Sequence, residues 1–349
     1  MKRIILHIGQ SKTGTSAIQD YFAGKLDAGT QIHYPRTGRQ GTAHHRIAAA
    51  LLPADNRPNW VPVQKLEVLS AELERELSRS PHQTALLSSE IFFNNPHVEQ
   101  VARFLAPYDV TIVALFRRQD LWLDSLLQHQ LKVLETNLDP GAWLERLMKS
   151  PAIDYSRKIS NWERVFGKPA IRIDTFEPAS MRRSLGSVFC KLCGIVEDPD
   201  VEFHSANEKA CRDAVAVLQF LHFEAGIAKE RVMALRRPLE EFSRLYPDPM
   251  PWKHAFSPAE RSRILAHCQE QNADLCENYF SGQRDTLFLD NAVDPLFETY
   301  PGLTSDRSEK IINHLALRGA DAEILEHLHA RFAASGHRRT DDAPALPRQ

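Results

Sequence analysis

Four short apolar runs, rich in β-branched residues, constrain the fold of this chain more than any other feature. They are Arg3–Ile8, Thr84–Ser88, Val110–Phe116 and Ala170–Ile173. Near-continuous runs of this kind indicate strands that are buried on both faces of a parallel sheet. Helical patterns lie between them, and a short fifth strand is expected near Gln31–Tyr34. The alternation predicts an α/β fold, with an open parallel sheet of four to five strands flanked by helices.

The helical patterns set the expected organisation of the chain. The clearest are Thr15–Lys25, Val63–Ser78 and Leu121–Leu134, a series between Tyr155 and Cys193, and then Cys211–Ala225, Ala228–Leu245 and Pro258–Tyr279. Because the strand patterns stop near residue 202, we expect one domain over residues 1–289, with a sheet core over 1–200 and a helical part over 201–289. Residues 290–334 are expected to form a helical extension, and the polar, Pro-rich residues 335–349 a disordered tail.

Composition excludes several classes of function. The 349 residues carry a net charge of −2, so no overall field attracts the chain to nucleic acid or to an anionic membrane. No run approaches the roughly 20 apolar residues of a transmembrane helix, and the apolar N-terminal run is too short for a secretory signal. The expected location is the cytoplasm, with work at the periphery of a membrane left open. The pair Cys190-x-x-Cys193 lacks the second pair of a zinc site, which favours structural thiols.

The first strand runs into a segment that is suited to binding an anion. The first N–H groups of a helix have no partners in the chain, and the helix dipole favours negative charge there. The segment offers two glycines, a lysine and three hydroxyl groups before and at the helix start: Gly9, Lys12, Thr13, Gly14, Thr15 and Ser16. In a Walker A motif the lysine directly follows the second glycine. Here Lys12 comes two residues before the second glycine, Gly14. Helix capping by Thr15 or Ser16 explains part of this pattern, but not the lysine directly behind a buried strand.

This loop resembles the 5′-phosphosulfate loop of the sulfotransferase family, which reads Gly-x-x-Lys-Thr/Ser-Gly-Thr/Ser-Thr/Ser after the first strand. The Ile18-Gln19 pair that follows is similar to bacterial carbohydrate sulfotransferases. The resemblance implies a P-loop-like sheet, 3′-phosphoadenosine 5′-phosphosulfate (PAPS) as the donor, 3′,5′-ADP as the product, and no metal. It implies a glycan or another small hydroxylated molecule as the acceptor, sulfated on a hydroxyl or an amine, with Lys12 stabilising the leaving nucleotide. The helical part over residues 201–289 would then lie on the acceptor side.

The third strand ends in Arg117, and a hydroxyl follows eight residues later at Ser125. An arginine at a strand end and a hydroxyl on the next helix can meet on one phosphate, because the guanidinium offers a planar fork of donors. The spacing resembles the family's 3′-phosphate motif, and together with the first loop it would recognise a nucleotide that carries a 3′-phosphate. The alternative is that Arg117 and Arg118 are solvated or pair with Asp120 and Asp124.

Glu90 follows the second strand, at the edge of the sheet where ligands bind. A partly desolvated carboxylate there can take the proton of an acceptor hydroxyl, and the resemblance assigns a base to this position. An ordinary surface glutamate that begins the next helix is the alternative. Ser89, His44 and His45 are candidate acceptor contacts, although a turn and a helix start explain them equally well. Asn207 is similar to an asparagine of bacterial relatives, and helix capping explains it as well.

Two other functions stay open at this point. A P-loop nucleotide kinase or NTPase needs Mg²⁺ held by a hydroxyl after the loop lysine and by an aspartate at a strand end. Thr13 supplies the hydroxyl, but Glu90 and Arg117 stand at the other strand ends. A catalytically inactive relative that binds nucleotide or glycan would keep the anion site without the chemistry, and the presence of both Lys12 and Glu90 argues against it.

Overall fold

The computed structural model describes residues 1–24, 32–177, 185–196 and 210–335. Within these ranges the chain forms one four-stranded parallel sheet, in the order β2-β1-β3-β4, flanked by helices. The strands are β1 (Arg3–His7), β2 (Thr84–Ser88), β3 (Asp109–Phe116) and β4 (Ile171–Thr175). The predicted fold class is therefore confirmed.

The fifth strand expected near Gln31–Tyr34 is only a single bridge at the edge of the sheet. His33 pairs in parallel with Ala85, which lies in β2. The His33 N–H donates to the Thr84 carbonyl at 2.9 Å, and the Leu86 N–H donates to the His33 carbonyl at 2.9 Å. Pro35 has no N–H group to continue the ladder. Gln31 lies outside the described residues.

The helices follow the predicted alternation. Those of the first two hundred residues are α1 (Thr15–Gly24), α2 (His45–Ala50), α3 (Leu66–Arg79), α4 (Val98–Leu105), α5 (Gln119–Lys132), α6 (Pro140–Met148), α7 (Tyr155–Phe166) and α8 (Leu185–Cys193). The later ones are α9 (Arg212–Gln219), α10 (Lys229–Ala234), α11 (Arg236–Leu245), α12 (Pro258–His267), α13 (Gln269–Phe280), α14 (Ser305–Leu317) and α15 (Ala322–Ser335). None of these helices combines the length and the hydropathy that are needed to cross a bilayer, in the part of the chain that is described.

The chain divides into two compact units, and each draws on separate stretches of sequence. In described residues, the sheet unit comprises 1–24, 32–126, 144–177, 185–196 and 260–293, and the helical unit comprises 127–143, 210–259 and 294–335. The expected domain boundaries near residues 200 and 290 stay a prediction, since each of these units joins several stretches of the chain. The expected extension over 290–334 is non-helical up to residue 304 and helical in α14 and α15. The expected tail over 335–349 lies outside the described residues from 336 onward.

The sheet of the first unit is covered on both faces. Alternate strand residues point to opposite sides, so Ile4 and Leu6 pack with α2, α3, α4, α7 and α13, whereas Ile5 packs with α1 and α8. Burial on both sides explains why the strands are nearly continuous in apolar residues. The helical unit has its own core, formed by α9, α10, α11, α14 and α15.

Strand order determines where this sheet can bind a ligand. The strand β1 is central, with β2 on one side and β3 on the other. The chain leaves β1 toward β2 and leaves β3 toward β4, so the two connections diverge in opposite directions. Ligands of open parallel sheets bind in the crevice at such a switch point, beyond the carboxyl ends of the strands. The segments that border this crevice are the ones that follow His7 and Phe116.

Candidate active site

The loop that joins β1 to α1 has an unusual backbone. Gly9, Lys12 and Gly14 all adopt positive φ angles, of 43°, 68° and 81°. This conformation costs a residue with a Cβ roughly 1–2 kcal/mol, so its surroundings must hold Lys12 there. The buried Thr13 hydroxyl donates to the Gln10 carbonyl at 2.6 Å. The Thr13 hydroxyl, predicted as a donor to the ligand, therefore donates its hydrogen bond within the loop instead.

The helix α1 begins at Thr15, directly behind this loop. Gly14 and Ser16 are partly exposed, whereas Thr15 is buried. A Cβ on Gly9 would stand 2.6 Å from Thr15 Cγ2, so the glycine allows the loop to lie against the first helical turn. The N–H groups of that turn lack partners within the helix and carry its positive dipole end. The geometry is thus the predicted one of strand, tight loop and helix start.

Three hydrogen bonds join this loop to the end of β3. The Gln10 amide Nε2 donates to the Tyr155 hydroxyl at 2.8 Å, and the Arg117 N–H donates to Gln10 Oε1 at 3.3 Å. The Tyr155 hydroxyl in turn donates to the Arg117 carbonyl at 2.9 Å. Tyr155 and Gln10 are both fully buried, so these bonds are shielded from water. The corners after β1 and β3 are therefore fixed relative to each other.

The Arg117 guanidinium lies directly on the loop. Its Nη1 donates to the Lys12 carbonyl at 3.3 Å, while its buried Nε has no hydrogen-bond partner among the described residues. Burial lowers the pKa of Arg117, and the carboxylates of Asp124 and Asp120 act in the opposite direction. An arginine remains charged even so. A cation with an unsatisfied donor thus borders the same corner as Lys12.

Arg118 has a different environment from its neighbour. It donates to both carboxylate oxygens of Asp120, at 2.7 and 3.0 Å. Arg261 Nε donates to the same carboxylate at 3.0 Å, and all three side chains are buried. Arg118 also donates to the Asp290 carbonyl at 2.6 Å. These bonds give Arg118 a structural role, and its pairing with Asp120 is one that the alternative interpretation predicted.

Ser125 lies on α5, the helix that follows Arg117. The Trp122 indole Nε1 on this helix donates to the Ser11 carbonyl at 3.1 Å. Residues three apart are neighbours on a helix surface, so Ser125 follows Trp122 on that face, where it is half-buried. Ser125 therefore lies on the helix that begins two residues after Arg117, one turn along from the tryptophan that contacts the loop.

Glu90 is half-buried just beyond β2 and is linked to α1. The Gln19 amide Nε2 donates to Glu90 Oε2 at 3.1 Å and to Ser88 Oγ at 3.2 Å. Ser88 Oγ also lies 2.8 Å from His7 Nδ1. Burial lowers the pKa of His7 to about 3, so its imidazole is neutral. A chain of polar side chains thus runs from the end of β1 to the carboxylate.

The three predicted acceptor contacts have different environments. His44 is fully buried: its Nδ1 accepts from the Ser88 N–H at 3.1 Å, and its Nε2 lies 2.8 Å from the Pro35 carbonyl. Burial lowers the pKa of His44 to about 3. Ser89 is also fully buried, and its hydroxyl lies 2.9 Å from His45 Nδ1. His44 and Ser89 are therefore supporting residues in this geometry. Of the three, only His45 is partly exposed.

The chain has five cysteines. All five are buried, and none is in a disulfide. Cys190 and Cys193 belong to α8, and burial raises the pKa of Cys193. Within the described ranges, no group of three or more His, Cys, Asp or Glu side chains is arranged to hold a metal ion. Asn207, which the sequence analysis compares with an asparagine of bacterial sulfotransferases, lies outside the described residues.

Sequence reasoning missed the residues that connect the corners. Gln10 and Tyr155 are 145 positions apart, and nothing local to either residue indicates that they meet. Gln19 belongs to the Ile18-Gln19 pair of the sequence analysis, which predicts no contact for its side chain. Its position one turn after the helix start places it on the side of the loop, and that spacing was the available signal.

No family model matches the sequence, and no curated protein matches it. One similar solved structure is a sulfotransferase from Alicyclobacillus acidocaldarius. It is 16% identical, with a TM-score of 0.43, over 68% of this chain and 96% of that one.

Proposed function

We propose that this chain is a sulfotransferase that moves a sulfuryl group from PAPS to a hydroxyl or amine of an acceptor, with a carbohydrate as the expected acceptor. The observation that carries the proposal is the contact of Arg117 with the backbone of Lys12. The Arg117 guanidinium, from the corner after β3, therefore lies against the loop after β1 that carries Lys12, at the switch point of the sheet. A single nucleotide with anionic groups at both ends of its ribose fits that arrangement.

The residues suit the two ends of PAPS differently. The loop and the first turn of α1 offer backbone N–H groups and the Lys12 ammonium, which fits the 5′-phosphosulfate. Arg117 has a buried Nε without a partner among the described residues, and Ser125 follows on the adjoining helix face, which together fit the 3′-phosphate. ATP carries no 3′-phosphate, so its binding would leave the buried Arg117 Nε without a hydrogen-bond partner among the described residues.

The mechanism follows from where the charges develop. When bound, PAPS supplies the sulfuryl group and a nucleotide leaving group. Glu90 takes the proton of the acceptor as the new O–S bond forms, while Gln19 holds one carboxylate oxygen and leaves the other for the acceptor. Lys12 neutralises the charge that grows on the bridging oxygen as the S–O bond to the nucleotide breaks. Such preorganised donors contribute about 3–4 kcal/mol each to lowering the barrier.

The nucleotide assignment is tested by thermal unfolding with three ligands: 3′,5′-ADP, 5′-AMP and Mg-ATP. We expect 3′,5′-ADP to stabilise the protein by about 2.7 kcal/mol at one hundred times its Kd. Mg-ATP should stabilise it much less at equal concentration. A larger shift with Mg-ATP would overturn the proposal in favour of a nucleotide kinase or NTPase.

The Arg117→Gln variant locates the 3′-phosphate. We expect it to abolish the preference for 3′,5′-ADP over 5′-AMP and to leave 5′-AMP binding nearly unchanged. The matched control is Arg164→Gln, which removes an exposed arginine paired with Glu99. Equal losses for both nucleotides would show that Arg117 only supports the loop. Tight 3′,5′-ADP binding with no transfer of labelled sulfate to any of a broad panel of acceptors would instead favour a catalytically inactive relative.

A further inference from the structure

Trp60 is an exposed aromatic ring beside the Glu90 corner. Its side chain is 55% exposed, whereas Trp122, Trp143 and Trp162 are buried. The indole contacts the His45 imidazole edge to face, with ring centroids 5.0 Å apart and planes at 89°. Exposing a tryptophan forgoes a large amount of hydrophobic burial, so its position beside the polar corner calls for an explanation.

The local backbone holds Trp60 in place. The Gln40 amide Nε2 donates to the Trp60 carbonyl at 3.0 Å. The next residue, Val61, is buried, and its N–H donates to the Pro58 carbonyl at 3.1 Å. The ring therefore extends from a segment that is anchored on both sides of it.

Two contacts connect Trp60 to Ser89, the residue before the proposed base. The Trp60 ring packs on His45, and His45 Nδ1 lies 2.9 Å from the hydroxyl of Ser89, the residue before Glu90. The electrostatics agree with this proximity: burial lowers the pKa of His45, and the Glu90 carboxylate acts against that shift. One apolar face and two hydrogen-bonding side chains therefore lie next to each other.

We propose that Trp60 and His45 form the acceptor subsite, and that its ligand is a pyranose ring. The carbon-bound hydrogens of one sugar face would stack on the indole, and the ring hydroxyls would bond to His45 and Glu90. A purely apolar ligand would desolvate the imidazole and the carboxylate without replacing their hydrogen bonds. An open-chain polyol has no flat face for the indole. That a hydroxyl of this sugar receives the sulfuryl group rests on the proposed function. Sugar binding at Trp60 does not depend on the proposed function.

Direct binding is measured by tryptophan fluorescence, because Trp60 is the most exposed of the five tryptophans. The probes are cellobiose, chitobiose and lactose, with sorbitol as the open-chain control. We expect at least one disaccharide to shift the emission to the blue in the wild-type chain, and sorbitol to leave it unchanged. Trp60→Ala should lose this response, and Val63→Ala, an exposed apolar change three residues away, should keep it. Absence of a response to every disaccharide, or an equal response in Trp60→Ala, overturns the subsite.

Transfer kinetics give the second readout. With the responding disaccharide, Trp60→Ala should raise the acceptor KM roughly tenfold, as the loss of one aromatic stacking contact predicts, and change kcat less than threefold. Trp60→Phe should recover part of the affinity. A kcat loss at unchanged KM, or a preference for 4-nitrophenol over all saccharides, contradicts a pyranose subsite. Trp60-dependent sugar binding without any 3′,5′-ADP binding would refute the proposed function and leave this subsite standing.

Discussion

Arg117 and Arg118 are adjacent in the sequence, yet their guanidinium groups meet different surroundings. Arg118 is saturated by Asp120 and by backbone carbonyls. The Arg117 guanidinium donates to the Lys12 carbonyl, and its buried Nε is satisfied by no described residue. A buried donor without a partner is costly, and a bound anion would remove that cost. At this scale the chemical difference comes from the partners and not from the residue type.

Lys12 is expected to act on the rate more than on binding. Lys12→Ala should lower sulfuryl transfer about 10²–10³-fold, the usual loss for one preorganised donor to a developing negative charge. Binding of 3′,5′-ADP should weaken much less, because the product no longer carries the sulfuryl group. Steady-state transfer and thermal titration measure the two effects, with exposed Lys65→Ala as the control. A large loss of nucleotide affinity at unchanged kcat would mean that Lys12 only anchors the ground state.

Glu90 is expected to be the base. Glu90→Gln should lower kcat about 10²–10⁴-fold, since the amide cannot accept the proton of the acceptor. The fold should persist, because the amide oxygen of the new side chain can still accept from Gln19. The exposed Glu99→Gln variant is the matched control, and transfer of labelled sulfate is the measurement. Wild-type activity in Glu90→Gln would remove Glu90 from the mechanism.

Among the elements, the β1–α1 loop depends most on its glycines. Gly14 has a φ of 81°, and an added Cβ would stand 2.4 Å from Leu185 Cδ2. Gly14→Ala should therefore reduce the unfolding free energy by roughly 1–2 kcal/mol. It should also weaken 3′,5′-ADP binding about tenfold or more, through the loss of at least one hydrogen bond to a charged group.

A second glycine separates this effect from the substitution itself. Gly24 ends α1, its φ is not positive, and an added Cβ would meet nothing within 4 Å. Gly24→Ala should leave both stability and nucleotide binding nearly unchanged. Urea denaturation and thermal titration of the two variants make the comparison. Equal behaviour of Gly14→Ala and Gly24→Ala would contradict the importance of the loop conformation.

The strands could be predicted closely because burial on both faces leaves a continuous apolar run, as in β2, which matches its predicted bounds Thr84–Ser88. The ends of helices, and the breaks within them, were harder to predict from the sequence. The pattern over Pro258–Tyr279 is continuous, yet the structure parts it into α12 and α13 at Cys268. The short α2 holds only His45–Ala50, too few residues to show a helical period.

The residues of the candidate site could be predicted where a local sequence pattern marks them. The loop around Lys12, the strand-end Arg117 and Glu90 all follow apolar runs, so strand assignment alone places them at one edge of the sheet. The Gln10–Tyr155 bond and the Trp60–His45 contact depend on packing between distant elements. No periodicity encodes such contacts, and for the same reason the sequence could not show that His44 and Ser89, two of the candidate acceptor contacts, are fully buried.

At the scale of the whole molecule, buried histidines couple folding to pH. His7 and His44 are fully buried, and burial lowers the pKa of each to about 3 from an ordinary value of 6.5. Between these two values the unfolded chain binds protons that the folded protein does not, so stability falls as the pH falls through this window. Above pH 6.5 neither state binds these protons, and the contribution of the two histidines is fully present.

We therefore expect the unfolding free energy to decrease by about 3 kcal/mol per pH unit below 6.5, at roughly 1.4 kcal/mol for each histidine. Urea denaturation at pH 7, 6 and 5 measures the slope, and this range lies above the ordinary titration of carboxylates. His44→Gln should halve the slope even if it lowers stability at every pH, whereas replacing the exposed His97 controls for the substitution. A stability that does not change between pH 7 and pH 5 would mean that the imidazoles of His7 and His44 take up protons in the folded protein.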